Sequence, residues 1–160
     1  EDIANNVKEA IEKHFADWKE PELNIIAEPG RFFVSKSHTL VSSVMNKKYK
    51  KDPVTGEKKI IYYINDGVYS SFFNIPMDHF VINEKNTFPF NERHEKKFKS
   101  KIFGPTCDSI DMVVDDIMMP DLEVGEYIIH TDMGAYTLAV NTGNEVFNGF
   151  DKTRVNYFIN

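Results

Sequence analysis

A single cysteine, Cys107, excludes an internal disulfide framework, and no Asn-x-Ser/Thr glycosylation acceptor occurs. Both absences fit a reducing, cytoplasmic setting. No apolar run approaches the roughly 20 residues of a membrane-spanning helix, and the acidic, helical-looking start is not the pattern of a secretion signal. The 19 lysines and arginines are outnumbered by 25 acids, so no cationic surplus is left to neutralise a nucleic-acid backbone. The five histidines, His14, His38, His79, His94 and His130, show no i,i+4 pairing and keep no cysteine company. No metal site is therefore expected. Internal repeats are also missing. What remains is an ordinary globular composition, 41% hydrophobic and 28% charged, able to bury one sizeable core.

Ile3, Val7, Ile11, Phe15 and Trp18 recur at helical spacing and predict an amphipathic helix ended by Pro21. Leu23, Ile25 and Ile26 then predict a short buried strand closed by a glycine turn. One helix and one strand cannot make a parallel sheet alone, so this opening reads as the last piece of a larger α/β unit. Between Phe32 and Tyr49 the apolar pattern permits helix or strand. Lys50–Lys59, with Pro53 and Gly56, predicts a solvated hairpin tip. Ile60–Ile64 predicts a strand ended by Asn65-Asp66-Gly67, and the strand pattern continues at Tyr69–Phe73 and Val81–Ile82. Glu84–Lys101, with six basic and three acidic residues, reads as a long exposed excursion. From Ile102 onward, short strands are divided by Gly and Pro, favouring a sandwich or barrel. Asp108–Asp132 holds eight acids and no Lys or Arg, which predicts a solvated acidic rim with some attraction for cations.

The stretch Ala27-Glu28-Pro29-Gly30-Arg31 sets an acid, a flexible backbone N–H and a guanidinium within five residues. Arginine offers a fork of donors to a phosphate, and glycine lets the backbone approach closely. A surface turn carrying an i,i+3 ion pair would use the same residues. Tyr136 in an apolar strand would ordinarily be a core residue with a satisfied hydroxyl, and a lone cysteine is usually a small buried hydrophobe.

Ala27–Arg31, Tyr63–Tyr69, Gly104-Pro105-Thr106-Cys107-Asp108, Asp132-Met133-Gly134-Ala135-Tyr136 and Phe147-Asn148-Gly149-Phe150 together resemble, in order and spacing, the closing half of eukaryotic-type ornithine decarboxylase. The resemblance implies a mainly β chain with an α/β remnant. Residues 1–36 would be the final helix and eighth strand of a (β/α)₈ barrel, and 37–160 a Greek-key-like β-barrel or sandwich, with a strand crossing between them. It also implies pyridoxal 5′-phosphate as cofactor, L-ornithine as substrate, putrescine as product, and an active site shared across a homodimer.

By the same resemblance, Glu28 faces the cofactor's ring nitrogen, Gly30 and Arg31 grip its phosphate, and the Tyr136 hydroxyl closes on it. Cys107 enters the neighbouring subunit's site and steers protonation of the product. Asp108 and Asp78 receive the distal amine, since burying that charge uncompensated would cost several kcal/mol. Met77 stands where the family has tyrosine, which removes a hydroxyl beside Asp78. Asp111 pairs across the dimer interface, Gly134 permits close subunit packing, and Phe147 lies near the site, with a few extra residues around Gly143-Asn144-Glu145 before it. The family's cofactor lysine, ring-stacking histidine and glycine-rich phosphate loop match nothing here and are expected upstream in a longer polypeptide. Relatives acting on lysine, arginine or diaminopimelate share the fold. The Cys-Asp pair, without an arginine for a distal carboxylate, favours a basic substrate. Two further expectations stand beside the enzyme: a non-catalytic homologue that binds the decarboxylase's regulatory protein, and an isolated β-domain with an interaction role.

Overall fold

Leu40, Ser42 and Val44 turn inward along β1 (Leu40–Lys51) while Val41 and Met45 face out, the two-residue alternation of a strand with one face on a core. The computed structural model describes residues 2–18, 24–91, 96–138 and 153–158. Before β1 come α1 (Asp2–Phe15), α2 (Gly30–Val34) and a 3₁₀ turn (Ser35–Ser37). After it come β2 (Lys58–Ile64), α3 (Asn74–Asp78), β3 (Thr87–Pro89), β4 (Phe98–Phe103), β5 (Met112–Met119) and β6 (Tyr127–His130). The strands form one barrel-like, six-stranded sheet in the order β3-β6-β1-β2-β4-β5. Only β2 and β4 run parallel. The mainly β expectation for this part of the chain is met.

The long first strand serves two neighbours. Its Leu40–Ser43 half pairs with β6 and its remainder with β2, with a break in register between Val44 and Asn46. Such a bulge bends a strand and lets a sheet curl. The expected hairpin tip is present. Asp52 accepts the N–H groups of Val54 (2.9 Å) and Thr55 (3.0 Å), and Gly56 takes the left-handed φ of 73° that closes the turn. Inside, Ile60, Tyr62, Ile64, Phe72, Ile102 and Ile128 are fully enclosed. The buried Tyr62 hydroxyl donates to the Pro120 carbonyl (2.6 Å) and accepts the Leu122 N–H (3.1 Å), and burial pushes its pKa up to about 12.

His130 joins three strands. Its ring nitrogens lie 2.9 Å from Ser42 Oγ and 3.0 Å from Thr87 Oγ1, and its edge meets the Phe72 ring at 4.8 Å. These neighbours carry no charge, so burial lowers the His130 pKa from 6.5 to about 3. A depressed histidine stabilises the fold fully above the unfolded value and loses that contribution as pH falls from 6.5 toward 3. Unfolding free energy should therefore drop by about 1.4 kcal/mol per pH unit below 6.5 on account of this group. Urea titrations of wild type and His130→Gln between pH 7 and 4.5 check this, with the shallower pH slope expected for the variant.

Several expectations are corrected. Residues 24–29 form no strand, and Ile25 and Ile26 are exposed, because no described neighbour offers them a ladder. The predicted helix exists as α1, but none of its residues is buried. The described residues do not by themselves show a barrel remnant. The ambiguous stretch resolves into α2, the 3₁₀ turn and then β1. Tyr69–Phe73 is a turn leading into α3 rather than a strand, and Val81–Ile82 lacks regular structure. The described part of Glu84–Lys101 is no exposed excursion. It supplies β3 and most of β4, with Thr87 and Ser100 buried and lysines alternating outward. The acidic stretch is neutralised in part by lysines of β1, β2 and β4. Asp121 pairs with Lys47 (3.1 Å) and Lys58 (2.6 Å), and Asp115 with Lys101. Of the stretch beyond residue 138 expected to hold strands, residues 153–158 lack regular structure and the rest lies outside the described residues.

Candidate functional site

Gly30 and Arg31 open the short helix α2, just ahead of the sheet. The segment after β6 folds back onto this region: Gly134 N–H donates to the Ser35 carbonyl (2.9 Å) and Met133 N–H to the His38 carbonyl (3.1 Å). A Cβ on Gly134 would lie 1.7 Å from the Val34 carbonyl oxygen. Glycine is therefore required here by a close approach within the chain itself, which accounts for Gly134 without invoking the subunit packing expected of it. The docked segment delivers Tyr136. Its ring lies 5.1 Å from the Arg31 guanidinium carbon, and its hydroxyl 3.6 Å from where a Gly30 Cβ would stand. Phe80 approaches the same guanidinium at 5.8 Å.

Asp78, the last residue of α3, forms an ion pair with Arg31 through Oδ2. The residues flanking this contact have unusual backbones. Tyr136 (φ 56°) and His79 (φ 53°) both take the left-handed conformation that side chains disfavour. Strain of this kind persists only where surrounding structure imposes it, and it concentrates at functional sites. Arg31 Nη1 is enclosed and has no hydrogen-bond partner. A buried donor left unpaired costs about 1–3 kcal/mol. The donor set of an orphaned guanidinium nitrogen, a tyrosine hydroxyl and a glycine open to close approach fits a phosphate monoester. Glu28 is exposed, two residues before Gly30, and no contact among the described residues ties it to this cluster.

The second group is Cys107–Asp111, between β4 and β5. Cys107 is exposed. Asp108 accepts the Ile110 N–H (2.9 Å) on Oδ1 and the Tyr69 hydroxyl on Oδ2, and these two bonds hold its carboxyl below the usual carboxylate range. Asp111, expected at the dimer interface, is buried within its own chain. Its carboxylate is completely enclosed, accepting Val68 N–H (2.8 Å) and Thr106 N–H (3.0 Å). A Cβ on Gly67 or Gly104 would fall 2.1 or 2.2 Å from that carboxylate. The carboxylate thereby braces two loops of its own chain. Phe147 lies outside the described residues.

Residues 65–78 connect the two groups, since this one excursion carries Tyr69 to Asp108 and Asp78 to Arg31. Sequence reasoning missed Tyr69 and the loop's second internal brace, Asp66. That carboxylate accepts Gly67 N–H (2.7 Å), Ser71 N–H (3.0 Å) and the Thr153 hydroxyl (2.6 Å). The local signals were the Asn65-Asp66-Gly67 turn and the Tyr63–Tyr69 motif around it, to which no site role was attached. Among the described residues no helix is long and apolar enough to cross a membrane, and no cluster of candidate metal ligands occurs.

Residues 31–134 match the family model described as pyridoxal-dependent decarboxylase, C-terminal sheet domain. Ornithine decarboxylase of Caenorhabditis elegans is 42% identical over 95% of this chain and 36% of its own length. Antizyme inhibitor 2 of Xenopus laevis is 34% identical over 98% of this chain and 34% of its own. The solved lysine/ornithine decarboxylase of Vibrio vulnificus, complexed with cadaverine, superposes with a TM-score of 0.69 and 31% identity. It covers 91% of this chain and 35% of the solved one. The chain spans about a third of the length of the curated relatives it matches.

Proposed function

This chain belongs to the pyridoxal-dependent decarboxylases, as their C-terminal sheet domain, and on that footing we propose that the full-length protein decarboxylates L-ornithine to putrescine in a site shared across a homodimer. The observation that carries the reading is the meeting of Gly30, Arg31 and Tyr136 around an unpartnered guanidinium nitrogen. These three residues hold the phosphate of pyridoxal 5′-phosphate. When bound, that cofactor supplies the electron sink that makes loss of carbon dioxide feasible. Glu28, next to the phosphate grip in sequence, keeps the ring nitrogen protonated by setting a carboxylate beside it.

Asp78 spends Oδ2 on Arg31, and its Oδ1 takes the distal ammonium together with Asp108. Asp108 and Cys107 enter from the second subunit, their loop braced from below by Asp111. Two carboxylates around one ammonium replace the water that the charge gives up on entering. The exposed Cys107 Sγ delivers the proton that the product Cα requires. Phe147 belongs to the same site. The division near residue 36 marks the passage from the barrel's end to the sheet domain, and the single exposed thiol is suited to the cytosol.

The match to antizyme inhibitor 2 favours a second reading, a non-catalytic homologue that engages a regulatory protein. The joint presence of Arg31, Cys107, Asp108 and Tyr136 favours the enzyme. Release of labelled carbon dioxide from carboxyl-labelled ornithine, with cofactor absorbance on the purified full-length polypeptide, decides between them. Turnover with absorbance supports the enzyme; neither signal overturns it.

A further inference from the structure

Resting on the ornithine reading, we infer that Tyr69 is a positioning residue whose hydroxyl fixes the Asp108 carboxylate in the orientation that reads the substrate's distal ammonium. The two oxygens of Asp108 are held by different elements. Oδ1 takes the N–H of Ile110 in its own loop, and Oδ2 takes the phenol from the loop after β2. A carboxylate tethered at both oxygens cannot turn about its last bond, yet each oxygen keeps a lone pair for an incoming cation. Such preorganisation removes an ordering cost from binding rather than adding a contact.

The phenol can do this because its own backbone is clamped. Asp66 accepts the N–H groups of Gly67 and Ser71, and Asp111 accepts that of Val68, the residue before Tyr69. Asp111 also takes Thr106 N–H, next to Cys107. One buried carboxylate therefore sets the distance between the tyrosine loop and the Cys-Asp loop, and the tyrosine hydroxyl completes the link at the exposed end. A neutral phenol is suited to the task, since a lysine there would cancel the charge that the ammonium needs.

Tyr69→Phe removes the hydroxyl and keeps the ring. In the full-length enzyme, KM for ornithine should rise about tenfold while kcat stays within about twofold. The acid limb of kcat/KM should move to higher pH, because the Asp108 carboxyl loses one of the bonds that keep it ionised. For 2-aminopentanoate, which lacks the distal ammonium, kcat/KM should be unchanged, so the preference for ornithine falls about tenfold. Turnover by the variant with wild-type KM and an unmoved acid limb overturns the role. Equal losses on both substrates overturn it too, since they would mark a merely structural tyrosine. A wild type without ornithine turnover overturns the underlying reading and this role together.

Discussion

Asp111→Ala is expected to lower the unfolding free energy by about 2–6 kcal/mol, from two buried N–H donors left without acceptors at ~1–3 kcal/mol each. The donors are those of Val68 and Thr106, in a pocket where the carboxylate is entirely closed off. Gly67 and Gly104 close against the same group so tightly that water cannot readily replace it. Asp111→Asn, which keeps the shape and one acceptor oxygen, should cost less. Gly104→Ala should cost a similar amount to Asp111→Ala, because its new Cβ collides with all three carboxylate atoms. Denaturant unfolding of each variant measures the loss. An Asp111→Ala protein with wild-type unfolding but weakened subunit association would restore the interface role and refute the internal brace.

Cys107→Ala is expected to abolish putrescine formation, by on the order of 10²-fold or more, while leaving the fold intact. The two halves of that statement have separate grounds. The side chain is exposed on a loop between β4 and β5, so its removal opens no core cavity. Its neighbour Asp108 is oriented by bonds that do not involve the thiol, so substrate affinity should also survive. The signature is a fall in product formation with unchanged unfolding and nearly unchanged KM. Wild-type turnover in this variant would remove Cys107 from the chemistry.

Local chemistry explains which parts of the fold could be anticipated. The hairpin at Asp52–Gly56 was legible because its acceptor, its proline and its left-handed glycine lie within five residues. The strand Lys58–Ile64 was legible because a continuous β-branched and aromatic run, Ile60–Ile64, packs into the core. Tyr69–Phe73 has the composition of a strand and folds otherwise, because its N–H groups are taken inside the turn: Ser70 and Phe72 donate to the Gly67 carbonyl, Phe73 to that of Ser70, and Ser71 to the Asp66 carboxylate. The preceding Val68 N–H goes to Asp111, more than forty residues away, a separation no local pattern reveals. The lysine-rich Glu84–Lys101 stretch resembled a solvated loop because only one face of β4 is apolar, and one of the strand's partners, β2, is remote in sequence.

The candidate site was legible as a set of residues and illegible as an arrangement. Motif order singled out Arg31, Asp78, Asp108 and Tyr136, yet nothing in it foretold that Asp78 would pair with Arg31 or that Tyr69 would hold Asp108. Gly134 was noticed for a close approach, and the structure shows one within the chain itself. Its partner is the Val34 carbonyl of the same chain.

The central claim is that Arg31 and Tyr136 grip a phosphate, and one comparison isolates it. Apo full-length protein is titrated with pyridoxal 5′-phosphate and with pyridoxal, which differ only in the phosphate, for wild type and Arg31→Ala. Wild type should prefer the phosphorylated form strongly, and Arg31→Ala should lose at least about tenfold of that preference, the scale of a charge-assisted bond to phosphate. An Arg31→Ala protein that discriminates between the two ligands as well as wild type does would contradict the account.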